Sequence, residues 1–386
     1  MNKKIVIASN TSWFVKNFFS SSIVEFMKNN NQVYIVAPRD NYTEKLIELG
    51  CHYREVAVDR SGVNPLKELK TLIGLWSIYR DLKPDCVLNF TPKINIYSVL
   101  VCKLLGIKVV NSVAGLGSII SETGFKSWIG KLSFRLTQPL ADHVIFQNNE
   151  DKSIYLSHGF AKKNKSSRVN GIGINLKQFV PQTSSDDGTV RFILYARMLK
   201  NKGVVDYVHA VEKVHEHFLL LNSAGKVIPC YEFSLLGFVD EANPQGLPKS
   251  LLDHWNNNSI VSYLGETDDV MSIVKDYDCV VLPSYYREGI PHCLIESCAM
   301  AKPIITTNNV GCRETVINNV SGYIVEPKCV PDLSDAIIRM IQLTHQQRLK
   351  MGEQGRKKAE QDFCHIQISK HYMGVIRNII DGENIN

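Results

Sequence analysis

Residues 279–301 have the sequence CVVLPSYYREGIPHCLIESCAMA, which predicts a strand, a loop and a helix in that order. The apolar run Cys279–Ser284 is typical of a buried parallel strand. The polar segment Tyr285–Ile290 contains Gly289, and Pro291 suits the first turn of a helix, where its missing N–H costs nothing. A loop in this position lies at the carboxyl edge of an open α/β sheet, where ligands bind. We therefore predict a ligand site here.

Two carboxylates occur in this stretch, Glu288 in the loop and Glu296 on the helix. Glu296 has two interpretations. It is either a surface residue that pairs with His292 at i, i+4, or a carboxylate that accepts hydrogen bonds from ligand hydroxyls. The N–H groups near Gly289 and Ile290, at the helix start, are suited to attract an anionic group of the ligand.

A second charged segment, ARMLKNKG, carries Arg197 and Lys202 between the predicted strand Arg191–Ala196 and a helix that begins near Gly203. We expect Lys202 to be exposed to solvent. Two cations after one strand and two carboxylates after another suit a ligand that contains both phosphates and sugar hydroxyls.

The spacing Arg197-x4-Lys202 followed by Glu288-x7-Glu296 resembles that of glycosyltransferase family 4, which are retaining enzymes of the GT-B fold. Further segments similar to this family are GIGINLKQF at 171–179, SYLGETDDV at 262–270 and VGCRETV at 310–316. Within the family, PRDNYTEKLIELG at 38–50 and AGLGS at 114–118 resemble bacterial transferases that add N-acetylgalactosamine to a polyprenyl-pyrophosphate-linked sugar.

The resemblance implies a role for each residue that matches the family pattern. Arg197 and Lys202 would bind the pyrophosphate of a UDP-sugar, aided by the N–H groups near Gly289 and Ile290. Glu288 would orient donor-sugar hydroxyls, and Glu296 would hold the ribose. The family implies no cofactor and no essential metal. Many members carry a His in the first domain near the donor sugar. The matching region here, 114–117, is Ala-Gly-Leu-Gly, so no residue of this segment is assigned the role of that His.

The specific reaction implied is transfer of α-linked N-acetylgalactosamine from UDP to an undecaprenyl-pyrophosphate-linked sugar during synthesis of O-antigen, capsule or a related glycan. A hexosyl or other N-acetylhexosaminyl transferase with a different acceptor is the alternative within the family. A sugar-nucleotide-binding protein without catalysis is an alternative of another class.

The length of 386 residues predicts two domains. Strands and helices alternate in both halves, which predicts an α/β protein with two Rossmann-like, doubly wound parallel-sheet domains facing a cleft. The segment Thr183–Gly188, TSSDDG, is the most linker-like, so we place the domains at 1–183 and 189–362. The remaining helix, 363–386, is expected to cross back to the first domain.

The composition is that of a globular protein and argues against a membrane span, disulfide bonds and a zinc site. Hydrophobic residues make up 44% and charged residues 21%, as in ordinary globular domains, and no apolar run or signal peptide indicates a membrane span. The ten cysteines are scattered without a CxxC pair, which favours reduced thiols over disulfides or zinc. The Asp276-Tyr277-Asp278 motif precedes its strand, so we do not interpret it as a metal site.

Charge is divided unevenly along the chain. Residues 1–185 hold 24 Lys and Arg against 13 Asp and Glu, a net charge of +11, within a total of +6. This basic half predicts an anionic partner. No nucleic-acid recognition motif accompanies it, so we favour an anionic membrane surface and a cytoplasmic, peripheral location on the inner face of the bacterial membrane.

A predicted helix at 119–136, IISETGFKSWIGKLSFRL, mixes aromatic residues with cations. Such a mixture suits a helix in the headgroup region of a bilayer, with Lys126, Trp128, Lys131 and Arg135 as the contacts. Phe134 is among the aromatic residues of this interfacial interpretation. The alternative is an amphipathic helix packed into the core.

Overall fold

The computed structural model describes residues 3–59, 64–115 and 125–383. These residues divide into two compact units. The first unit ends at Asn175 and also includes the chain from Cys364 onward, while the second unit is Leu176–Phe363. All ten cysteines are free thiols.

The first unit is built on a parallel sheet of seven strands. The strands are β1 Lys4–Ala8, β2 Gln32–Ala37, β3 His52–Glu55, β4 Cys86–Asn89, β5 Lys108–Val113, β6 His143–Phe146 and β7 Ser166–Arg168. Their order across the sheet is β3-β2-β1-β4-β5-β6-β7. The chain therefore builds outward from β1 in one direction and then in the other, so the first unit is doubly wound.

Helices among the described residues of the first unit cover both faces of this sheet. They are α1 Ser12–Lys28, α2 Thr43–Glu48, α3 Pro65–Leu82, α4 Pro92–Leu105, α5 Phe125–Thr137, α6 Asn149–Ser157 and the final helix, His365–Asp381, which follows the second unit in sequence. The final helix packs against α1, where Tyr372 meets Phe19 edge to face with ring centroids 5.4 Å apart. Helices α3, α4 and α5 contribute to a separate core on the other face.

The second unit contains a parallel sheet of six strands. They are β8 Thr189–Tyr195, β9 Cys230–Leu236, β10 Ser262–Tyr263, β11 Cys279–Leu282, β12 Ile304–Thr307 and β13 Gly322–Val325, in the order β10-β9-β8-β11-β12-β13. The helices are α7 Val204–Ser223, α8 Lys249–Asn257, α9 Val270–Val274, α10 His292–Ala299, α11 Val330–Gln342 and α12 His345–Asp362, so the final helix His365–Asp381 is α13.

Local sequence signals account for several helix ends. The Thr11 side chain accepts a hydrogen bond from the Phe14 N–H at the start of α1, and α12 begins with a capping box between Thr344 and Gln347. These contacts satisfy N–H groups that have no partner within the helix. Helix α4 ends at Gly106, which adopts a left-handed conformation that glycine tolerates.

The predicted α/β class and the two doubly wound parallel sheets are confirmed by this topology. Two elements were not predicted, β7 and α6, because neither is marked by an apolar run. The final helix, predicted within 363–386, is α13, and it follows α12 after a break at Phe363 and Cys364.

The division between the units differs from the predicted linker at Thr183–Gly188. Residues from Leu176 onward are held to the second unit by hydrogen bonds. The Gln182 N–H donates to the Met300 carbonyl over 3.1 Å, and the Ser184 hydroxyl donates to Asp278 over 2.6 Å. Composition marks the polar TSSDDG segment but carries no information about these contacts.

Candidate functional site

The site lies where the second sheet reverses its direction of growth. Strands β8 and β11 are parallel neighbours, with Phe192 opposite Cys279. From β8 the chain continues to β9 and β10 on one side, and it returns to β11 on the other side. The loops after two such strands diverge and leave a crevice at their carboxyl ends, which is the usual ligand site of a doubly wound sheet.

Lys202 and Glu288 meet at this point. Lys202 ends a single 3-10 turn, Lys200–Lys202, after β8, and its Nζ donates to both carboxylate oxygens of Glu288 over 2.6 and 2.7 Å. Lys202 is only 7% exposed, so the expectation of an exposed lysine is wrong. Burial is the largest single influence and would lower the pKa of Lys202, but the charge and hydrogen bonds of Glu288, together with contributions from Cys293 and Cys312, outweigh it and the pKa is raised. The ammonium is therefore held in its charged form.

Backbone contacts fix the two loops to each other. The carbonyl of Asn201 accepts hydrogen bonds from the N–H groups of Tyr285 and Tyr286, both over 3.1 Å. Gly203 follows with φ +76°, and a Cβ on it would lie 2.2 Å from the carbonyl oxygen of Pro283. Only glycine combines this conformation with so close an approach. The position of Lys202 relative to the β11 loop is thus set by main-chain packing.

A second glycine supports Glu288 from the other side. Gly311 has φ +84°, and a Cβ there would lie 1.6 Å from the carbonyl oxygen of Gly289 and 3.0 Å from that of Glu288. The Gly311 N–H also donates to Glu314 over 2.8 Å. Gly311 and Glu314 belong to the segment VGCRETV at 310–316, which resembles the family pattern but had no role assigned from the sequence.

Polar side chains complete the support of the Glu288 loop. The Ser284 hydroxyl lies 3.3 Å from Glu288 Oε1, and Asn309 Nδ2 donates to the Tyr286 carbonyl over 2.8 Å. The Thr307 hydroxyl donates to the Ser284 carbonyl. Sequence analysis did not identify these residues, because small polar side chains after strands are common and their partners are distant in sequence.

Glu296 lies on α10 and pairs with His292, whose Nδ1 is 2.9 Å from Glu296 Oε1. The i, i+4 contact is the one considered in the first interpretation, but the pair is not on the open surface, since both side chains are about one-sixth exposed. The hydroxyl of Tyr195, at the end of β8, hydrogen-bonds the Cys293 carbonyl and Ser297 Oγ of the same helix. Nothing in the sequence marks Tyr195 beyond its position before Ala196 and Arg197.

The charges of Lys202, Glu288 and Glu296 all act on one thiol. Burial raises the pKa of Cys293, and the charges of Lys202, Glu288 and Glu296 all act on it, Lys202 in the opposite direction to the two carboxylates. The structure therefore brings the predicted residues Lys202, Glu288 and Glu296 to one place. Gly289 and Ile290 are buried in the same loop, directly before Pro291 and the start of α10.

Arg197 is placed differently from Lys202. It lies in the loop after β8 with 41% of its side chain exposed, and its guanidinium is 3.9 Å from Asp240, on the loop after β9. This long, exposed ion pair contributes little to stability. The guanidinium therefore remains accessible to an anionic ligand at the carboxyl edge of the sheet.

The DxD motif has a structural role at its second acid. Asp278 is 4% exposed and accepts hydrogen bonds from the Ser184 hydroxyl and the Arg191 N–H, over 2.6 and 2.9 Å. It stands at the amino end of β11, opposite the site. Within residues 3–59, 64–115 and 125–383, no three His, Cys, Asp or Glu side chains cluster in a way that could hold a metal ion.

Helix α5 in the first unit carries the predicted membrane residues. Trp128 is 59% exposed and Arg135 is exposed, whereas Lys131 is half-buried. Phe134 packs in the core at 2% exposure, so its inclusion among the interfacial aromatics is wrong. The Lys126 side chain and the predicted region Leu116–Gly117 lie outside the described residues. Of the helices in the described part of the chain, none has the length and hydropathy to span a bilayer.

Comparison with known proteins matches both halves of the chain to family models. Residues 177–358 match "Glycosyl transferases group 1", and residues 4–148 match "Glycosyl transferase 4-like". The two matches cover the strands of both sheets except β7.

Two characterised relatives act on lipid-linked sugars. The chain is 27% identical, over 94% of its length and 96% of that protein, to the N,N'-diacetylbacillosaminyl-diphospho-undecaprenol alpha-1,3-N-acetylgalactosaminyltransferase of Campylobacter jejuni. It is 25% identical, over 72% of each chain, to the UDP-Gal:alpha-D-GlcNAc-diphosphoundecaprenol alpha-1,3-galactosyltransferase of Escherichia coli.

Solved structures share the fold at low identity. A glycosyltransferase from Rickettsia africae superposes with a TM-score of 0.78 at 18% identity, covering 98% of this chain and 99% of that one. Anabaena Alr3699/HepE in complex with UDP and glucose superposes with a TM-score of 0.78 at 13% identity, covering 98% and 100%. The fold is therefore that of the GT-B class.

Proposed function

The chain is a glycosyltransferase that belongs to the group 1 and 4-like families, and we propose that it moves a sugar, with retention of configuration, from a UDP-sugar to an undecaprenyl-pyrophosphate-linked sugar. The specific proposal is α-linked N-acetylgalactosamine, used in the assembly of a bacterial surface polysaccharide. The full-length relative from Campylobacter jejuni, which carries that activity in its name, supports this choice.

The observation that carries the proposal is the pair of Lys202 and Glu288 at the switch point of the second sheet. Nζ lies 2.6 and 2.7 Å from the carboxylate oxygens, and Lys202 is buried. A buried, charged ammonium beside a phosphate would form charge-assisted hydrogen bonds of high strength. A diphosphate that enters here can share Lys202 with Glu288, which leaves carboxylate acceptors for hydroxyls of the donor sugar.

Charge accumulates on UDP as the anomeric carbon–oxygen bond breaks. In this proposal Lys202 and the exposed Arg197 offset that charge, and the N–H groups near Gly289 and Ile290 at the positive end of α10 do the same. Glu296, on the same helix, would accept hydrogen bonds from the ribose hydroxyls once its hydrogen bond with His292 is broken. Each assignment keeps the role implied by the family pattern.

Retention follows in this proposal from attack on the face that UDP leaves. The acceptor hydroxyl oxygen forms a bond to the anomeric carbon while the bond from that carbon to the UDP oxygen breaks. The proton of the acceptor hydroxyl passes to an oxygen of the leaving phosphate. No external base, metal or redox partner is needed for this balance.

A second donor has support of its own. The relative from Escherichia coli is a galactosyltransferase that acts on a similarly linked acceptor, so transfer of galactose or another hexose is the alternative. The identity of the donor depends on the shape of the pocket near Glu288.

The membrane location is proposed on the same grounds. An undecaprenyl chain stays in the bilayer, so a transferase that uses it must reach the membrane surface with its basic first unit. We therefore propose a peripheral position on the inner face of the bacterial cytoplasmic membrane, with an anionic lipid surface as partner.

Release of UDP tests the proposal. The purified chain is incubated with UDP-N-acetylgalactosamine, UDP-galactose and related donors, each with and without a short polyprenyl-pyrophosphate-linked sugar. Acceptor-dependent release from one donor, with a new lipid-linked product of α configuration, is the expected result. Binding of UDP without turnover of any donor would instead identify a sugar-nucleotide-binding protein.

A further inference from the structure

Helix α3 presents an apolar stripe to solvent. The exposed fractions of Leu66, Leu69, Ile73 and Trp76 are 78%, 52%, 60% and 37%, and their spacing of three, four and three residues places them on one face of the helix. The opposite face packs into the core of the first unit through Leu75, Tyr79 and Leu82. A contiguous apolar stripe of this kind marks an interaction surface.

Basic side chains flank the stripe. Lys67 and Lys70 are exposed near its start, and Arg80 and Lys83 are exposed near its end. The acidic residue between the first two, Glu68, turns inward to Lys93, with Nζ and Oε1 2.6 Å apart. Lys67 is paired with Asp59 over 3.1 Å, and Arg80 is paired with the exposed Asp81 over 3.5 Å. The net positive charge along the stripe therefore comes from Lys70 and Lys83.

A second stripe lies in the same helical layer. Helix α5 exposes Trp128, Ile129, Leu132 and Leu136, which also share one helix face. Helix α4 packs against both α3 and α5, and its Leu104 is 74% exposed between them. Helices α3, α4 and α5 together cover one face of the first sheet.

We propose that the α3 stripe is a membrane-binding surface that lies in the headgroup region of an anionic bilayer and acts together with α5. The proposal rests on the proposed function in that a lipid-linked acceptor brings the enzyme to a bilayer. Each stripe contains a Trp, which favours the boundary between headgroups and acyl chains, and cations that attract anionic lipid. Two such helices would fix the orientation of the first unit, whereas one would leave it free to rotate about the helix axis.

Charge also argues against a second copy of this chain as the occupant. A two-fold contact through α3 would bring the net positive charge of Lys70 and Lys83 on one copy toward the same charge on the other. Like charges across an interface oppose association. An anionic lipid surface has the opposite sign and offers apolar depth for Leu66, Leu69, Ile73 and Trp76.

Flotation with vesicles tests the surface. The full chain and the variant Leu69→Gln/Ile73→Gln are mixed at low salt with vesicles of phosphatidylglycerol and phosphatidylcholine. The matched control is Leu219→Gln/Leu220→Gln, which removes two exposed leucines from α7 of the second unit. We expect the α3 variant to lose roughly tenfold in vesicle partition, because partition scales with buried apolar area, and the control to match wild type.

Fluorescence gives a second measurement that keeps the stripe apolar. Lipids brominated on their acyl chains should quench part of the Trp emission of the wild type, and Trp76→Phe should remove part of the quenched component. Equal flotation of wild type and α3 variant, or no contribution of Trp76 to the quenching, would overturn the proposal. Loss of a wild-type dimer in the α3 variant with unchanged flotation would overturn it as well.

UDP titration separates a folding defect from a surface effect, since the donor residues lie in the second unit. An α3 variant that binds UDP as wild type does but fails to float supports the proposal. Should the wild type release no UDP from any donor, the proposed function fails, and the flotation result still decides the role of α3.

Discussion

Lys202 and Glu288 lie on loops after two neighbouring parallel strands, 86 residues apart in sequence, and one ammonium donates to both oxygens of one carboxylate. The pair links a residue assigned to the leaving group with a residue assigned to the sugar. Because the two groups neutralise each other before the donor binds, removal of either leaves the other as an unpaired charge in a largely buried site.

Lys202→Ala is expected to lower sugar transfer by about 10²–10³-fold, since a positioned cation that stabilises the leaving phosphate is lost. It should also reduce the free energy of unfolding, on the order of 2 kcal/mol, because Glu288 loses its partner. Urea unfolding and steady-state turnover measure the two effects. Lys200→Ala removes an exposed cation two residues away and should change neither. Near wild-type transfer by Lys202→Ala would refute the phosphate assignment.

The two carboxylates are expected to respond differently to amide substitution. Glu288→Gln should lower turnover more than it weakens UDP binding, because Glu288 is assigned to the donor sugar. Glu296→Gln should weaken binding of UDP itself, because Glu296 is assigned to the ribose. Titration of both variants with UDP, followed by turnover at saturating donor, makes the comparison. The opposite order of UDP affinities would reject these roles.

Gly311→Ala tests whether main-chain packing sets the position of Glu288. A Cβ at Gly311 would lie 1.6 Å from the Gly289 carbonyl oxygen, so the Glu288 loop must move. Gly188 has nearly the same φ, +83°, but nothing within 4 Å of its Cβ position. Gly188→Ala should therefore show only the cost of a left-handed alanine, about 1 kcal/mol, and keep full activity. Gly311→Ala should lose most of its turnover in the same assay, and equal activities of the two variants would contradict the packing argument.

A buried histidine should make the first unit sensitive to acid. His143 Nε2 lies 2.9 Å from Ser167 Oγ, which lies 2.7 Å from His371 Nε2 on α13. Burial, with smaller contributions from His371, Lys152 and Lys165, lowers the pKa of His143 from 6.5 to about 4. The unfolded chain takes up this proton below about pH 6.5 while the folded chain does so only near pH 4, so stability falls as pH falls through this window.

Between pH 7 and about pH 5, this one group should remove about 2 kcal/mol from the free energy of unfolding. The pKa of His371 is also lowered, by burial first, which acts in the same direction. His143→Gln should flatten the dependence in urea unfolding measured at both pH values. His158→Gln, at an exposed position of the same unit, should leave it as in wild type. A slope unchanged by His143→Gln would show that other groups cause the acid sensitivity.

The fold was predictable because apolar strand runs and helical stretches alternate with clear boundaries. The predicted strands 191–196 and 279–284 overlap the observed strands β8, Thr189–Tyr195, and β11, Cys279–Leu282. Strand β7, with the sequence SSR, has no apolar run and pairs only at the sheet edge. Its conformation comes from hydrogen bonds to β6, which periodicity does not encode.

The site was predictable at its charged residues and less so at their surroundings. Lys202 and Glu288 carry a sequence signal because each follows a strand in a recognisable spacing. Burial of Lys202 depends on the close approach of Gly203 to Pro283 and of Gly311 to Gly289. These contacts join segments far apart in sequence, and a glycine alone does not show what approaches it.

The last prediction concerns the cations of α5 and the membrane. Residues 1–185 carry a net charge of +11, and Lys126, Lys131 and Arg135 accompany the exposed Trp128 on α5. Near an anionic leaflet each well-placed Lys or Arg contributes roughly 1 kcal/mol, and salt weakens the attraction. We expect reversible, salt-sensitive binding to anionic vesicles and little binding to neutral ones.

Exchange of all three cations for Glu should reduce flotation at low salt and should also reduce transfer to a lipid-linked acceptor. UDP binding should persist, because the donor residues lie in the second unit. Equal flotation of wild type and triple variant would leave α5 with a packing role alone.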